Sequence, residues 1–233
     1  MFRFKQFTIH QQNSAMKVCT DTCLFGALIS GGKNLNALDI GSGTAVLSLM
    51  AAQRFPEWLV DAVEIDSAAC EDAKKNIAES PFKERVRVIN SSIQDFALNS
   101  EKKYDVIFTN PPFYQNQLKS PEKSKNTAHH CSELGFSELA QSIHSLLLPL
   151  GTVWVLLPPF EMTQFEKELS NFDLFPFKRF NIKHNEQKPV FRQVVVFERN
   201  SPKELNETEI LIYENDKYSS IFTEFLRDYY LIF

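Results

Sequence analysis

Apolar and polar segments alternate along the 233 residues of the chain. Short, almost continuously apolar runs predict strands at 35–40, 59–65, 85–90, 104–110 and 151–158. Around them, segments with apolar residues at helical spacing predict helices at 20–31, 45–55, 67–80, 133–147 and 161–172. Strands that are buried on both faces are apolar throughout, so the pattern indicates an α/β fold with a mostly parallel sheet and helices on both faces.

The last third of the chain departs from this alternation. Two predicted strands, at 175–182 and 190–198, follow one another directly. One more strand at 207–213 and a terminal helix at 219–233 complete the chain. Successive strands that are joined by a polar turn favour an antiparallel hairpin. We therefore expect one antiparallel strand at the edge of the parallel sheet.

Composition and targeting signals narrow the class of protein. Hydrophobic residues make up 43% and charged residues 23% of the chain, which is typical of globular proteins and excludes collagen-like, coiled-coil and disordered chains. The N-terminus lacks the apolar stretch of a secretory signal, and no apolar run reaches the roughly 18 residues of a membrane span. The cysteines do not have the spacing of a zinc site. We therefore expect a cytoplasmic protein with free thiols, no metal and no membrane contact.

The net charge of −4 hides an uneven distribution. Residues 1–20, 115–130 and 176–203 carry net charges of +3, +2 and +5, so the rest of the chain carries −14. A mildly acidic chain does not coat nucleic acid indiscriminately, but three basic segments together can form a rim that suits phosphate groups. Within the third segment, Lys188 and Arg192 are the strongest candidates for contacts with a nucleic-acid substrate.

A glycine-containing turn joins the first predicted core strand to its helix. Its sequence, Asp39-Ile-Gly41-Ser-Gly43, lets the backbone turn tightly and allows a ligand to approach it. Val46 stands where a dinucleotide-binding turn has its third glycine, which disfavours NAD. Glu64 lies about 21 residues beyond Gly43, at the spacing at which a carboxylate binds ribose hydroxyls. An ordinary turn with a solvated carboxylate is the alternative, but together these residues favour a ligand that contains a nucleoside.

The motif Asn110-Pro111-Pro112-Phe113 ends the fourth predicted core strand. We expect it beside the glycine turn, because the carboxyl ends of parallel strands meet at one edge of a sheet. The prolines restrict the backbone, fix the Asn110 side chain and expose the carbonyl oxygen of Pro111. Two acceptors at one point suit an NH2 group, and Phe113 offers an apolar face on which a planar base or amide stacks. These four residues are therefore candidate catalytic residues.

The order DIGSG, VEID and NPPF resembles the class I S-adenosylmethionine-dependent methyltransferases, in the branch that methylates exocyclic amino or amide nitrogens. The flanking segments 2–27 and 229–233 resemble the bacterial family that methylates N6 of adenine 37, beside the anticodon, in a valine tRNA. The likeness covers nearly the whole chain and implies a monomer with a Rossmann-like fold. The implied single domain, 1–233, consists of a segment that covers the cofactor and substrate at 1–34, a core at 35–200, and a C-terminal strand and helix at 201–233.

The resemblance implies that S-adenosylmethionine is the methyl donor. The implied cofactor-binding residues are Thr20, Asp21, Asp39, Gly41, Gly43, Glu64, Ile65, Ser92, Ile93 and Asn110. Among them, Glu64 is expected to bind the ribose hydroxyls and Ile65 to pack on the cofactor adenine. Ser92 stands where relatives often carry the acid that binds the adenine amine of the cofactor. Asp95 is the alternative candidate for this contact.

The N-terminal segment and the polar loop at 114–132 contribute further implied contacts. Lys17, Thr20 and Asp21 lie where relatives close over the cofactor, although Thr20 and Asp21 equally suit caps of the first helix. His129 stands where relatives often have arginine. The expected residues for binding tRNA are therefore Lys17, His129, Lys188 and Arg192.

The implied reaction needs no strong base, because the sulfonium methyl group is already activated. Hydrogen bonds from the adenine amine to Asn110 Oδ1 and the Pro111 carbonyl are expected to free the amine lone pair, so the rate depends mainly on positioning. The alternatives are methylation of a release-factor glutamine amide, of guanine N2 in rRNA or of adenine N6 in DNA. An inactive RNA-binding module is the alternative from another class, and it would not bind the cofactor.

Overall fold

The computed structural model of the protein describes residues 1–14, 17–112, 135–199 and 204–233. Its strands are β1 (Phe2–Arg3), β2 (Thr8–Ile9), β3 (Asn36–Ile40), β4 (Leu59–Glu64), β5 (Val86–Asn90), β6 (Tyr104–Thr109), β7 (Leu147–Leu157), β8 (Leu174–Lys183), β9 (Val190–Arg199), β10 (Asn206–Leu211), β11 (Tyr213–Glu214) and β12 (Lys217–Tyr218). Its helices are α1 (Thr20–Leu28), α2 (Val46–Arg54), α3 (Ser67–Ala78), α4 (Ile93–Asn99), α5 (Phe136–Leu146), α6 (Pro159–Ser170) and α7 (Ser220–Leu226).

Eight of the strands form one sheet in the order β10-β8-β9-β7-β6-β3-β4-β5. The run from β7 to β5 is parallel throughout, and β10 is parallel to β8. The predicted α/β fold with a mostly parallel sheet is thus confirmed. Because β3, β4, β6 and β7 run in the same direction, they all end at one edge of the sheet, which we call the carboxyl edge.

The antiparallel strand lies inside the sheet, which corrects the prediction of an antiparallel edge strand. β8 and β9 form the predicted hairpin, but β9 inserts between β8 and β7, while β10 pairs with the outer side of β8. Side-chain burial explains this order. Residues 194–197 of β9 are apolar and fully buried, whereas β10 begins with the exposed residues Asn206 and Glu207. Continuous apolar side chains favour the interior of a sheet, and charged side chains protect an edge strand from further pairing.

Helices cover both faces of the sheet, as predicted. Successive residues of a strand point to opposite faces. Accordingly, Val194 and Val196 of β9 pack in one apolar cluster with α1, α2, α3 and α7. Val195 and Phe197 pack in a second cluster with α4, α5 and α6. Both clusters remove apolar side chains from water, which is the dominant favourable contribution to folding.

Two helices differ from those predicted from the sequence. The short helix α4 follows β5 directly and was not predicted. The terminal helix was expected to continue to residue 233, but α7 ends at Leu226. The residues after it return to the N-terminal segment, where Tyr230 forms a bridge with Phe4 and the Lys5 ammonium donates to the Phe233 carbonyl at 2.8 Å. The two ends of the chain are therefore packed together.

Among the helices in the described ranges, none combines the length and the hydrophobicity that a membrane span requires. Within the same ranges, no group of three His, Cys, Asp or Glu side chains is arranged to hold a metal ion. Cys19, Cys23 and Cys70 are free thiols, and Cys131 lies outside the described residues.

Candidate active site

The glycine turn lies at the carboxyl edge between β3 and α2. Gly41 and Gly43 adopt φ of +69° and +54°, a conformation that favours glycine. A Cβ atom at either position would meet no atom within 4 Å, so the turn faces open space. The backbone amides of Gly41 and Ser42 donate to the carbonyl of Val63 at 2.9 and 3.1 Å. The turn is therefore fixed to the end of β4 and leaves room for a ligand above it.

Glu64 ends β4 with both carboxylate oxygens held in place. Oε2 accepts a hydrogen bond from the Gly43 amide at 2.8 Å, and Oε1 accepts one from the Asp66 amide at 2.8 Å. Each oxygen of a carboxylate has a second lone pair, so both can accept another hydrogen bond. The neighbouring Ile65 side chain is 56% exposed. The end of β4 thus presents a rigid acceptor beside an uncovered apolar side chain.

Asp39 lies fully buried in β3, beneath the turn. Its Oδ2 accepts a hydrogen bond from the Ser48 hydroxyl at 2.6 Å, whereas Oδ1 is buried and has no partner among the residues that the structure describes. Burial raises the pKa of Asp39 to about 7, and the negative charge of Glu64 adds to the rise although the Ser48 hydrogen bond opposes it. A nearby cation or a further hydrogen-bond donor would stabilise the ionised form of this buried carboxyl group.

Asn110 follows the end of β6 and lies close to α1. Its Nδ2 donates a hydrogen bond to the hydroxyl of Thr22 at 3.1 Å, which leaves Oδ1 available for another group. Asn110 and Thr22 line a cavity of about 60 Å³ together with the glycine turn, Lys17 and Val46. The expected proximity of the two motifs is therefore confirmed. Of the remaining motif, Pro111 is buried and Pro112 exposed, and Phe113 lies outside the described residues.

The end of β5 carries Ser92 and Ile93, both of which were expected to contact the cofactor. Ser92 caps α4: its hydroxyl accepts from the Asp95 amide at 3.0 Å and donates to the Asp95 carboxylate at 2.7 Å. The Ile93 side chain belongs to the apolar cluster on the α5 side of the sheet. The Asp95 carboxylate thus lies against the Ser92 hydroxyl, and the Ile93 side chain is buried in that cluster.

Two polar residues of α3 that the sequence analysis did not single out attach the N-terminal segment to the site. Asp72 accepts hydrogen bonds from the amides of Asn13 and Ser14 at 2.9 and 3.0 Å. The fully buried Asn76 accepts from the His10 amide at 2.7 Å, and its Nδ2 donates to the carbonyls of His10 and Thr44 at 2.9 and 3.0 Å. One side chain therefore joins the segment to the glycine turn. A pair of polar residues four positions apart, on the helix face that carries Ala69, Ala73 and Ile77, was the signal in the sequence.

The expected contacts in the N-terminal segment are only partly at the site. The Lys17 ammonium donates to the carbonyls of Gln11 and Ser14, and the side chain lines the cavity. Thr20 is exposed, and α1 begins with Cys19 as its N-cap, so neither Thr20 nor Asp21 caps the helix.

Among the expected tRNA contacts, Arg192 is engaged within the protein. Its Nε donates to Asp21 Oδ2 at 2.9 Å, which joins the start of β9 to α1. Lys188 is exposed in the turn between β8 and β9. This turn lies at the carboxyl edge, because β8 runs in the same direction as β7. His129 lies outside the described residues.

A larger cavity, of about 710 Å³, lies at the far end of α2, and its lining includes the cationic Lys5, Arg54 and Arg227 and the anionic Glu224 and Asp228. The glycine turn precedes α2, so this cavity is at the opposite end of the helix from the motifs. The opposite charges of these side chains largely offset one another. The chemistry of the chain is therefore concentrated at the smaller cavity.

Comparison with known proteins agrees with this geometry. Residues 14–132 match the family model described as "Methyltransferase small domain". A tRNA1(Val) (adenine(37)-N6)-methyltransferase from Dyadobacter fermentans is 42% identical over 236 residues, which covers 100% of this chain and 98% of that protein. The protein of the same name from Pedobacter heparinus is 37% identical over 232 residues, again covering 100% of this chain and 98% of that protein.

Solved structures support the fold. A predicted O-methyltransferase from Agrobacterium tumefaciens has a TM-score of 0.68 at 13% identity, covering 89% of this chain and 96% of that chain. A TehB-like SAM-dependent methyltransferase from Corynebacterium glutamicum has a TM-score of 0.52 at 16% identity, covering 80% and 90%. At these identities the likeness establishes the fold alone. The curated relatives establish more, since they span the whole chain: the protein belongs to the tRNA1(Val) (adenine(37)-N6)-methyltransferase family and carries a methyltransferase small domain at residues 14–132.

Proposed function

We propose that this protein transfers the methyl group of S-adenosylmethionine to N6 of adenine 37 in a valine tRNA. Membership of the family supports the reaction, because the relatives that carry this name extend over the full chain. The placement of Asn110 is the observation that carries the proposal. Its Nδ2 is already bonded and its Oδ1 has no partner among the residues that the structure describes, so it presents an acceptor to an amine beside the glycine turn.

The residues at the carboxyl edge fit S-adenosylmethionine. The fixed carboxylate of Glu64 suits the two hydroxyls of the ribose, and the exposed side chain of Ile65 suits the face of the adenine. The unpartnered Oδ1 of Asp39 adds negative charge beneath the turn, where the cationic methionine end of the cofactor would lie. We propose that Asp95, held by Ser92, replaces the acid that relatives direct to the adenine amine. When bound, the cofactor supplies a methyl group on a positively charged sulfur.

The protein's contribution to the chemistry is mainly orientation. The amine of adenine is a poor nucleophile because its lone pair is delocalised into the ring. Asn110 Oδ1 and the Pro111 carbonyl are proposed to accept its two N–H hydrogens, which favours a pyramidal nitrogen and frees the lone pair. Holding the amine in line with the methyl group converts an encounter into a positioned reaction, which is a large contribution to the rate. We propose that Phe113 stacks on the target base.

The RNA is proposed to approach over the other half of the carboxyl edge, where β7 and the turn between β8 and β9 meet solvent. Lys188 is exposed in that turn and suits a phosphate group. Phe160 lies in the first turn of α6, just after β7, and is 70% exposed, so it offers a second aromatic face for a base near the target. Because Arg192 pairs with Asp21, we propose that it holds α1 in place at the rim of the site. Lys17 and His129 remain proposed contacts with the tRNA. We also propose that the protein acts in the cytoplasm as a monomer.

A methyl-transfer assay on total tRNA lacking this modification tests the proposal. The protein, labelled S-adenosylmethionine and the tRNA are incubated together, and the tRNA is then digested to nucleosides. We expect label in N6-methyladenosine and in the valine acceptor fraction. Label in 2-methylguanosine would indicate guanine methylation instead. Label in protein and none in the tRNA, or cofactor that does not bind in calorimetry, would support one of the alternative functions.

A further inference from the structure

Thr22 bonds directly to Asn110 from a position 88 residues earlier in the chain. It lies in the first turn of α1, and its side chain is almost fully buried, with 7% of the residue exposed. Its Oγ1 lies 3.1 Å from Asn110 Nδ2 and 3.0 Å from Cys19 Sγ. A buried hydroxyl in this position interacts with two side chains, and one of them is the proposed acceptor for the target amine.

The hydrogen bond from Asn110 Nδ2 to Thr22 defines the orientation of the Asn110 amide in the structure. Nδ2 carries two N–H donors and no acceptor, whereas a threonine hydroxyl can accept and donate at the same time. Thr22 therefore accepts from Nδ2, and its own hydrogen is free to turn towards the Cys19 sulfur. Partial burial and the negative charge of Asp21 raise the pKa of the Cys19 thiol.

We propose that Thr22 is a positioning residue that keeps Asn110 Oδ1, rather than Nδ2, directed at the substrate amine. The proposal rests on the proposed function. An exocyclic amine presents two N–H donors, so an amide turned by 180° would place donor against donor. Since the two ends of a carboxamide have nearly the same shape, packing alone does not select between the orientations, and the hydrogen bond from Nδ2 to Thr22 Oγ1 holds the one in which Oδ1 is left for the substrate.

Two substitutions separate the hydroxyl from the shape of the side chain. Thr22→Val keeps the branched shape and removes the hydroxyl, and Thr22→Ser keeps the hydroxyl and removes a methyl group. Thr163→Val is the matched control, because Thr163 is an exposed helical threonine whose hydroxyl donates to the Pro159 carbonyl of its own helix at 3.1 Å. All three variants are compared with the wild type in circular dichroism and thermal unfolding.

Steady-state kinetics with saturating tRNA and cofactor gives the first readout. We expect Thr22→Val to lower kcat by about tenfold, which corresponds to the loss of one hydrogen bond, and to leave the Kd of S-adenosylmethionine within about threefold. Thr22→Ser should retain kcat within about threefold, and Thr163→Val should match the wild type. Wild-type kcat in Thr22→Val, or equal losses in the valine and serine variants, would overturn the proposal. So would an equal loss of kcat and cofactor affinity, which would make Thr22 a cofactor contact.

The side-chain amide signals of Asn110 give a second readout that does not depend on turnover. In 15N-edited spectra, we expect the Asn110 NH2 pair, assigned by its disappearance in Asn110→Asp, to be the same in wild type and Thr22→Ser. It should shift and exchange faster with water in Thr22→Val. An unchanged pair in Thr22→Val would overturn the inference whether or not the enzyme is active. A wild type that forms no N6-methyladenosine would instead contradict the proposed function, and the spectra would still decide the role of Thr22.

Discussion

Replacing Asp39 by asparagine is expected to stabilise the protein in the absence of cofactor and to weaken cofactor binding. Burial raises the pKa of this carboxyl from 3.8 to about 7. Between these two values the folded protein holds a proton that the unfolded chain has released. The free energy of unfolding therefore falls as the pH rises through this range, and the loss is complete above pH 7. Asparagine is neutral at all these pH values, so Asp39→Asn escapes the loss.

The size of the effect follows from the two pKa values. Their difference corresponds to at most about 4 kcal/mol, and the buried amide of the variant keeps a polar group without a full set of partners. We therefore expect Asp39→Asn to be about 2 kcal/mol more stable than the wild type at pH 8 and close to it at pH 5. Urea denaturation at the two pH values measures the difference as a shift in the midpoint.

Asp61→Asn is the control because the charge of Asp61 has the opposite role. Burial would raise its pKa, but hydrogen bonds from Lys102, Tyr104 and Arg87 outweigh burial and lower the pKa. Such a carboxylate stabilises the fold above its unfolded pKa and loses that contribution as the pH falls through its folded pKa. The Asp61 variant should therefore be less stable than the wild type at pH 8, whereas the Asp39 variant should be more stable.

Calorimetry with S-adenosylmethionine completes the test of Asp39. A cationic ligand favours the ionised carboxylate, so wild-type affinity should rise between pH 6 and 8 and binding should release a proton. The affinity of Asp39→Asn should be lower by about tenfold or more at pH 8 and nearly independent of pH. An Asp39 variant that is destabilised at pH 8, or that binds the cofactor as tightly as the wild type there, would refute this reasoning.

Three further changes test other parts of the account. Asn110→Ala should abolish methyl transfer and leave the cofactor Kd, measured by calorimetry, within about tenfold; an equal loss of both would make Asn110 a cofactor or structural residue. Asn76→Ala leaves backbone groups of His10 and Thr44 unpaired, so urea denaturation should show a loss of at least about 2 kcal/mol, and an unchanged midpoint would contradict the role given to Asn76. Phe160→Ala should raise the KM for tRNA about tenfold without changing cofactor affinity, whereas Leu150→Ala, at the opposite end of β7 and 93% exposed, should not; equal KM values in the two variants would exclude stacking at Phe160.

The parts of the fold that are visible in the sequence are those with a local signal. The glycine turn and the Asn110 motif each occupy consecutive positions, and the parallel strands read as short apolar runs, so their meeting at one edge follows from topology alone. The comparisons confirm the resemblance on which the family assignment rested. The place of β9 between β7 and β8 is different. It depends on whether β9 or β10 is more apolar on both faces. That comparison requires the burial of side chains across the whole sheet.

The residues that support the site were harder to predict because their partners are far away in the chain. Asn76 reaches His10 and Thr44 at separations of 66 and 32 residues, and Thr22 reaches Asn110 at 88. The same holds for Arg192, which the sequence analysis expected to contact the tRNA. Its partner Asp21 lies 171 residues away, so the ion pair could not be seen in the sequence. The sequence shows which residue types are present, but a charge that is neutralised across such a distance is indistinguishable from a free one.

The most direct test of the central claim is to locate the methyl group in a purified valine tRNA. An unmodified transcript is incubated with the protein and S-adenosylmethionine, cut with a base-specific ribonuclease, and analysed by mass spectrometry. A second transcript with guanine at nucleotide 37 serves as the control. The account predicts one added methyl group, on the adenine at nucleotide 37 of the anticodon-loop fragment, and none on the control. A methyl group elsewhere, or equal methylation of both transcripts, would contradict it.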